Sequence, residues 1–114
     1  MHKWCPALAS AALLLSACAP PTPEQARIEN IQDAADNEAH AIEAGFGNQI
    51  NQMRAEAETL TNQAEASNTF DAERLKTRAQ ALRAEAGIIE RQSQARVRAV
   101  RDRAQAEVST IKAQ

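Results

Sequence analysis

Two stripes of small and apolar residues, one in each half of the chain, constrain its fold more than any other feature. The first runs Ile28, Ile31, Ala35, Ala39, Ile42, Phe46, Ile50, Met53, Ala57, Leu60 and Ala64, always in steps of three or four. The second runs Leu75, Ala79, Leu82, Ala86, Ile89, Ser93, Val97, Val100, Ala104, Val108 and Ile111 in the same steps. Such steps line up side chains on one edge of an α-helix, because 3.6 residues complete a turn. Of the sixteen Leu, Ile, Val, Met and Phe residues after position 18, only Phe70 and Ile88 lie off the stripes.

The two stripes are mirror images in the sequence. Ile28 corresponds to Ile111, Ile31 to Val108 and so on to Ala64 with Leu75, and every pair of numbers sums to 139. The mirror centre falls inside Ala66-Ser67-Asn68-Thr69-Phe70-Asp71, where both stripes stop. Folding the chain back there sets large residues against small ones: Leu60 on Ala79, Ala57 on Leu82, Met53 on Ala86, Phe46 on Ser93. Layers of that kind interdigitate without voids. The predicted fold is therefore all-α, an antiparallel two-helix coiled-coil hairpin with helices over about 23–66 and 71–113. Asp71 is the expected N-cap of the second helix, with Phe70 and Leu75 as a hydrophobic staple. The first stripe steps 3, 4, 4 twice and then 3, 4, 3, 4 towards the tip; an eleven-residue repeat removes left-handed supercoil, so the basal part is predicted to run nearly straight.

Charge agrees with that pairing. Residues 24–66 carry nine acids and two bases, a net of −7, whereas residues 71–114 carry six acids and ten bases, a net of +4. The two helices attract, while two copies of the first would repel. Asp36 with Arg101 and Glu38 with Arg103 are expected flanking pairs. Two layers conflict, bringing Arg54 towards Arg83 and Glu56 towards Glu85, but surface pairs are worth only about 0–1 kcal/mol.

The helical region has a defined start. All four prolines lie at or before position 23. Thr22 suits an N-cap, with Pro23 at the first helical position and Gln25 at the third, a capping-box arrangement. The preceding residues 18–22 form a Pro-rich spacer that favours an extended chain.

Upstream, His2 and Lys3 precede an uncharged apolar run ending in Leu13-Leu14-Leu15. A membrane span needs about 20 apolar residues, so this run has secretory-signal rather than anchor length. Its end, Leu15-Ser16-Ala17-Cys18, resembles the lipobox of bacterial lipoproteins. The resemblance implies that residues 1–17 are a signal peptide removed by signal peptidase II. It also implies that Cys18 becomes the new N-terminus and carries a diacylglycerol thioether and an N-linked, palmitate-type acyl chain. Three such chains at about 0.8 kcal/mol per buried methylene make a lasting bilayer anchor. Ala19 in place of Asp implies sorting to the outer membrane, facing the periplasm. The alternative is a soluble secreted chain cut after Ala19, against which Pro20 beside the cut counts. Cys5 leaves with the signal and Cys18 is consumed, so no disulfide is expected.

Other candidate sites have plain structural readings. Gly45 and Gly47 flank Phe46 and read as local relief around the largest stripe residue facing Ser93, with a hinge or docking notch as the alternative. Gly87 beside Ile88 hints at close approach of another helix. Arg96, Arg98, Arg101 and Arg103 form the main basic cluster, explained by facing Asp36, Glu38 and Glu43. Without interleaved aromatics it does not read as a nucleic-acid site. His40 has no second ligand at metal spacing. No phosphate loop, nucleophile elbow or metal motif occurs, and no cofactor, small-molecule substrate or catalytic residue is expected. The sequence thus reads as a non-catalytic, lipid-anchored structural or interaction module of the bacterial cell envelope. Its expected partners are the bilayer and an envelope protein or a second copy. The alternatives are a self-associating helical-bundle lipoprotein and a small phage- or plasmid-type envelope effector acting in lysis or exclusion.

Overall fold

The computed structural model describes residues 19–114 and contains two long helices, α1 (Pro23–Glu65) and α2 (Thr69–Lys112). They pack against each other along their length as a two-helix hairpin, with residues 66–68 as the connection. At 1.5 Å per residue each helix is roughly 65 Å long.

α1 starts where its capping residues dictate. The Thr22 hydroxyl accepts from the Gln25 amide at 3.2 Å, and the Gln25 side chain accepts from the Thr22 amide at 3.0 Å. Pro23 takes the first helical position, where its missing N–H is not needed. Both halves of the capping box are thus closed.

α2 starts earlier than expected. Its N-cap is Asn68, not Asp71, and the helix begins at Thr69. Asn68 Oδ1 accepts from the Asp71 amide at 3.0 Å, while Asn68 Nδ2 donates to Asp71 Oδ2 at 3.1 Å. Asp71 instead occupies the third helical position, where a carboxylate also favours the positive end of the helix dipole. With the start moved back, Phe70 turns outward at 80% exposure, so the expected staple with Leu75 does not form. The connection shortens accordingly. The amides of Ala66 and Ser67 donate to the carbonyls of Gln63 and Ala64, both at 3.2 Å, and the Ser67 hydroxyl donates to the Gln63 carbonyl at 2.7 Å. No described residue takes a positive φ, so the chain reverses without glycine.

The core is one seam. Among the described residues all fourteen buried ones lie on the two sequence stripes: thirteen apolar residues and Ser93. The remaining eight stripe positions, Ile28, Ile31, Ile42, Phe46, Met53, Leu60, Leu75 and Leu82, are half-buried. Mirror partners meet inside the core clusters, Ala35 with Ala104 in one and Ile50 with Ile89 and Met53 with Ala86 in the other. Only alanines reach zero exposure: Ala39, Ala57, Ala79 and Ala86. An interface between two helices is one layer deep, so a small side chain is wholly covered while a larger one protrudes past its edge. Each buried Ile or Val still contributes about 1.5–3 kcal/mol relative to exposure. Phe70 and Ile88, the two residues off the stripes, are the exposed large hydrophobics among the described residues.

Candidate functional site

Leu15, Ser16, Ala17 and Cys18, the residues that resemble a lipobox, lie outside the described residues. The described chain opens with Ala19-Pro20-Pro21-Thr22, non-helical and exposed, leading directly into the capped start of α1. Among the described residues no helix is long and apolar enough to cross a membrane.

The polar margins of the seam carry the ion pairs between the two helices. Arg103 donates to Glu38 at 2.9 Å, closing one of the two expected pairs. Asp36 and Arg101 line the same groove but do not form an ion pair. The expected like-charge conflicts dissolve because long side chains reach diagonally to the next layer. Arg54 bonds Glu90 at 2.8 Å, Glu56 approaches Arg78 at 3.5 Å, and Arg83 donates to the Thr61 hydroxyl at 3.0 Å. These groups are about half-exposed, so each pair adds little to stability.

Arg96 adds a contact the sequence stripes do not reveal. Its guanidinium lies 5.1 Å from the centre of the Phe46 ring, within cation–π range. Phe46 sits on the seam edge at partial exposure, which leaves its face open to a residue one turn from Ser93. The basic cluster therefore divides: Arg103 serves Glu38, Arg96 covers Phe46, and Arg98 and Arg101 line a groove with Glu43.

The glycines are not explained by packing. A Cβ built on Gly45 or Gly47 meets nothing within 4 Å, and one on Gly87 meets only the Arg91 side chain at 3.8 Å. Relief around Phe46 is therefore not their role, because the helix has room for alanine at all three positions.

The surface concavities are open grooves along the seam margins. One near the start of α1 is lined by Asp33, Asp36, Arg101, Gln105 and Lys112, so charged groups of both signs meet water there. His40 is exposed, and no group of three His, Cys, Asp or Glu residues able to hold a metal occurs among the described residues. Chemically, such a surface can present charge and small side chains to a partner over a long distance. No family model matches the chain, and neither does any curated protein or solved structure.

Proposed function

We propose that this chain is a lipid-anchored module of the bacterial envelope that tethers or scaffolds by projecting a helical hairpin from a bilayer. Acyl chains on Cys18 hold the foot. The Pro-rich spacer lifts the hairpin clear of the headgroups, and the two helices present a long polar surface to a partner. The orientation that fits the lipobox is periplasm-facing, on the outer membrane.

The observation that carries this reading is the join between the lipobox and the fold. Four residues, Ala19 to Thr22, separate Cys18 from a capped helix that runs without a break to Glu65. A foot so close to a stiff element transmits its position to the whole hairpin. A flexible linker would not. A surface made of two helices and open grooves also suits contact with a macromolecule better than enclosure of a small substrate.

Metabolic labelling with a clickable palmitate analogue tests the reading. The wild-type chain should take up label and fractionate with membranes, and Cys18→Ser should lose both properties. An intact mass showing a free Cys18 thiol on the processed chain would reject it.

A further inference from the structure

The seam keeps its phase across the turn. Ala64, the last position of the α1 stripe, and Leu75, the first of the α2 stripe, are eleven residues apart, which on one uninterrupted helix is three turns and about 20°. Asn68 and Asp71 fall between them in steps of four, three and four, and all four positions share an arc of about 60°. Drawn as a single helix of roughly 135 Å, residues 23–112 therefore carry both stripes on one edge. A hairpin needs no such agreement, because a turn resets the phase between its two helices.

The connection is already close to that single helix. It holds neither glycine nor proline, and no φ in it is positive. The amides of Ala66 and Ser67 bond three residues back, one short of the α pattern. The Ser67 hydroxyl bonds the carbonyl four residues back, as the helical Thr59, Thr61 and Thr77 do. Asn68 departs from the helix with a ψ of 165°, while its φ of −66° is one a helix shares. Its side chain closes the turn by bonding the amide and the carboxylate of Asp71.

We propose that the hairpin exchanges with a swapped dimer, in which residues 66–68 join α1 and α2 into one helix and two copies lie antiparallel. The seam itself selects a second copy. In the swapped form α1 of one chain meets α2 of the other at every layer. Ala35 keeps an Ala104, Ile50 an Ile89, Glu38 an Arg103 and Arg54 a Glu90, each from the other copy. Position 68 then faces position 71 of the other copy, since these numbers also sum to 139. The Asn68–Asp71 pair that closes the turn within one chain thus re-forms between two. The end of α1 and the start of α2 gain the backbone hydrogen bonds that separate helix ends leave open. The lost cap and the entropy of association oppose the dimer, so the hairpin is favoured at low concentration and the dimer at high. Exchange of an identical element needs no new contact surface.

Disulfide trapping in cells that express the full-length chain tests this. One copy carries Ala35→Cys and another Ala104→Cys, with different tags. Hairpins cannot join these two positions, whereas the swapped dimer sets them face to face. A single chain with both changes reports the hairpin through an internal disulfide, and tagged chains without either change give the background from Cys18. Thr69→Pro separates the two forms. Thr69 is the first residue of α2 and follows the extended Asn68, as Pro23 follows Thr22, so the hairpin accepts proline there. Inside a continuous helix the same proline removes a hydrogen bond and clashes with the preceding turn. The expected result is a mixed disulfide above background that falls more than about tenfold with Thr69→Pro, while the internal disulfide persists. Insertion of two glycines after Ser67, which lengthens the turn and weakens helix there, should act the same way. Absence of the mixed disulfide while the internal one forms, or a mixed disulfide that survives both changes in full, would overturn the swap. Acylation of Cys18 is not required for it, and palmitate-analogue labelling of the same samples reports that modification separately.

Discussion

Replacing Gly45, Gly47 and Gly87 by alanine should stabilise the isolated hairpin. All three lie inside helices, where glycine costs about 0.5–1 kcal/mol relative to alanine through backbone entropy. The usual objections to removing a glycine are absent. None has a positive φ, and the added methyl groups meet open space at positions 45 and 47 and an ordinary contact at 87. The three changes do not share a partner, so they should add to about 1.5–3 kcal/mol. For a domain of this size each kcal/mol moves the melting midpoint by about 4–8 °C, which gives a rise of about 6–24 °C. The assay is thermal melting followed by circular dichroism at 222 nm, at one fixed dilute concentration so that association does not shift the midpoint. A fall in midpoint for Gly45→Ala or Gly47→Ala would refute the reasoning, since it would mean that the backbone there is held by something the hairpin does not contain.

Three further outcomes follow from the seam, its margins and the turn. Ile50→Asp sets a charge at a 7%-exposed position and should cost more than about 3 kcal/mol, enough to melt the hairpin at room temperature, whereas Arg98→Ala on the outer surface should leave the midpoint where it is; equal melts for the two would remove the seam from the fold. Arg103→Ala breaks a pair whose side chains are 62% and 50% exposed, so urea denaturation should report a loss below about 1 kcal/mol that fades at high salt. A loss above about 2 kcal/mol would contradict that. Asn68→Ala should cost about 1 kcal/mol by removing the N-cap of α2, while Phe70→Ala should stay within about 0.5 kcal/mol; the reverse order would return the helix start to Asp71.

The seam was legible because it is written in period. Steps of three and four fix one edge of a helix, and two such edges with a common mirror centre leave one way to fold the chain back. The charge difference between the halves points to the same pairing, and Glu38–Arg103 follows from it directly. The turn was less legible because Asn68, Thr69 and Asp71 can all cap a helix. What selects Asn68 is the reciprocal bond with Asp71, which needs a side chain that both accepts and donates. The margins were misread where side chains were assumed to point straight across. Arginine and glutamate are long enough to choose the next layer, so Arg54 finds Glu90 and avoids Arg83. The Arg96–Phe46 contact was invisible for a related reason, because a ring on the seam edge offers its face to whichever long cation lies a turn away. The lipobox-like run Leu15 to Cys18 lies outside the described residues, and its reading rests on the resemblance alone.

The depth of the seam bears on how such a chain could act. Two helices share one layer of contact, and the residues with no exposure at all are alanines. Among the described residues no large side chain is shut wholly away from water, and on the proposed reading the hairpin acts through its surface and its position. Position depends on the foot. If Cys18 is acylated, the extended spacer sets the start of α1 within about 15 Å of the headgroups at roughly 3.1 Å per residue, and the closed capping box at Thr22 fixes where the helix begins. Every copy then stands at the same height.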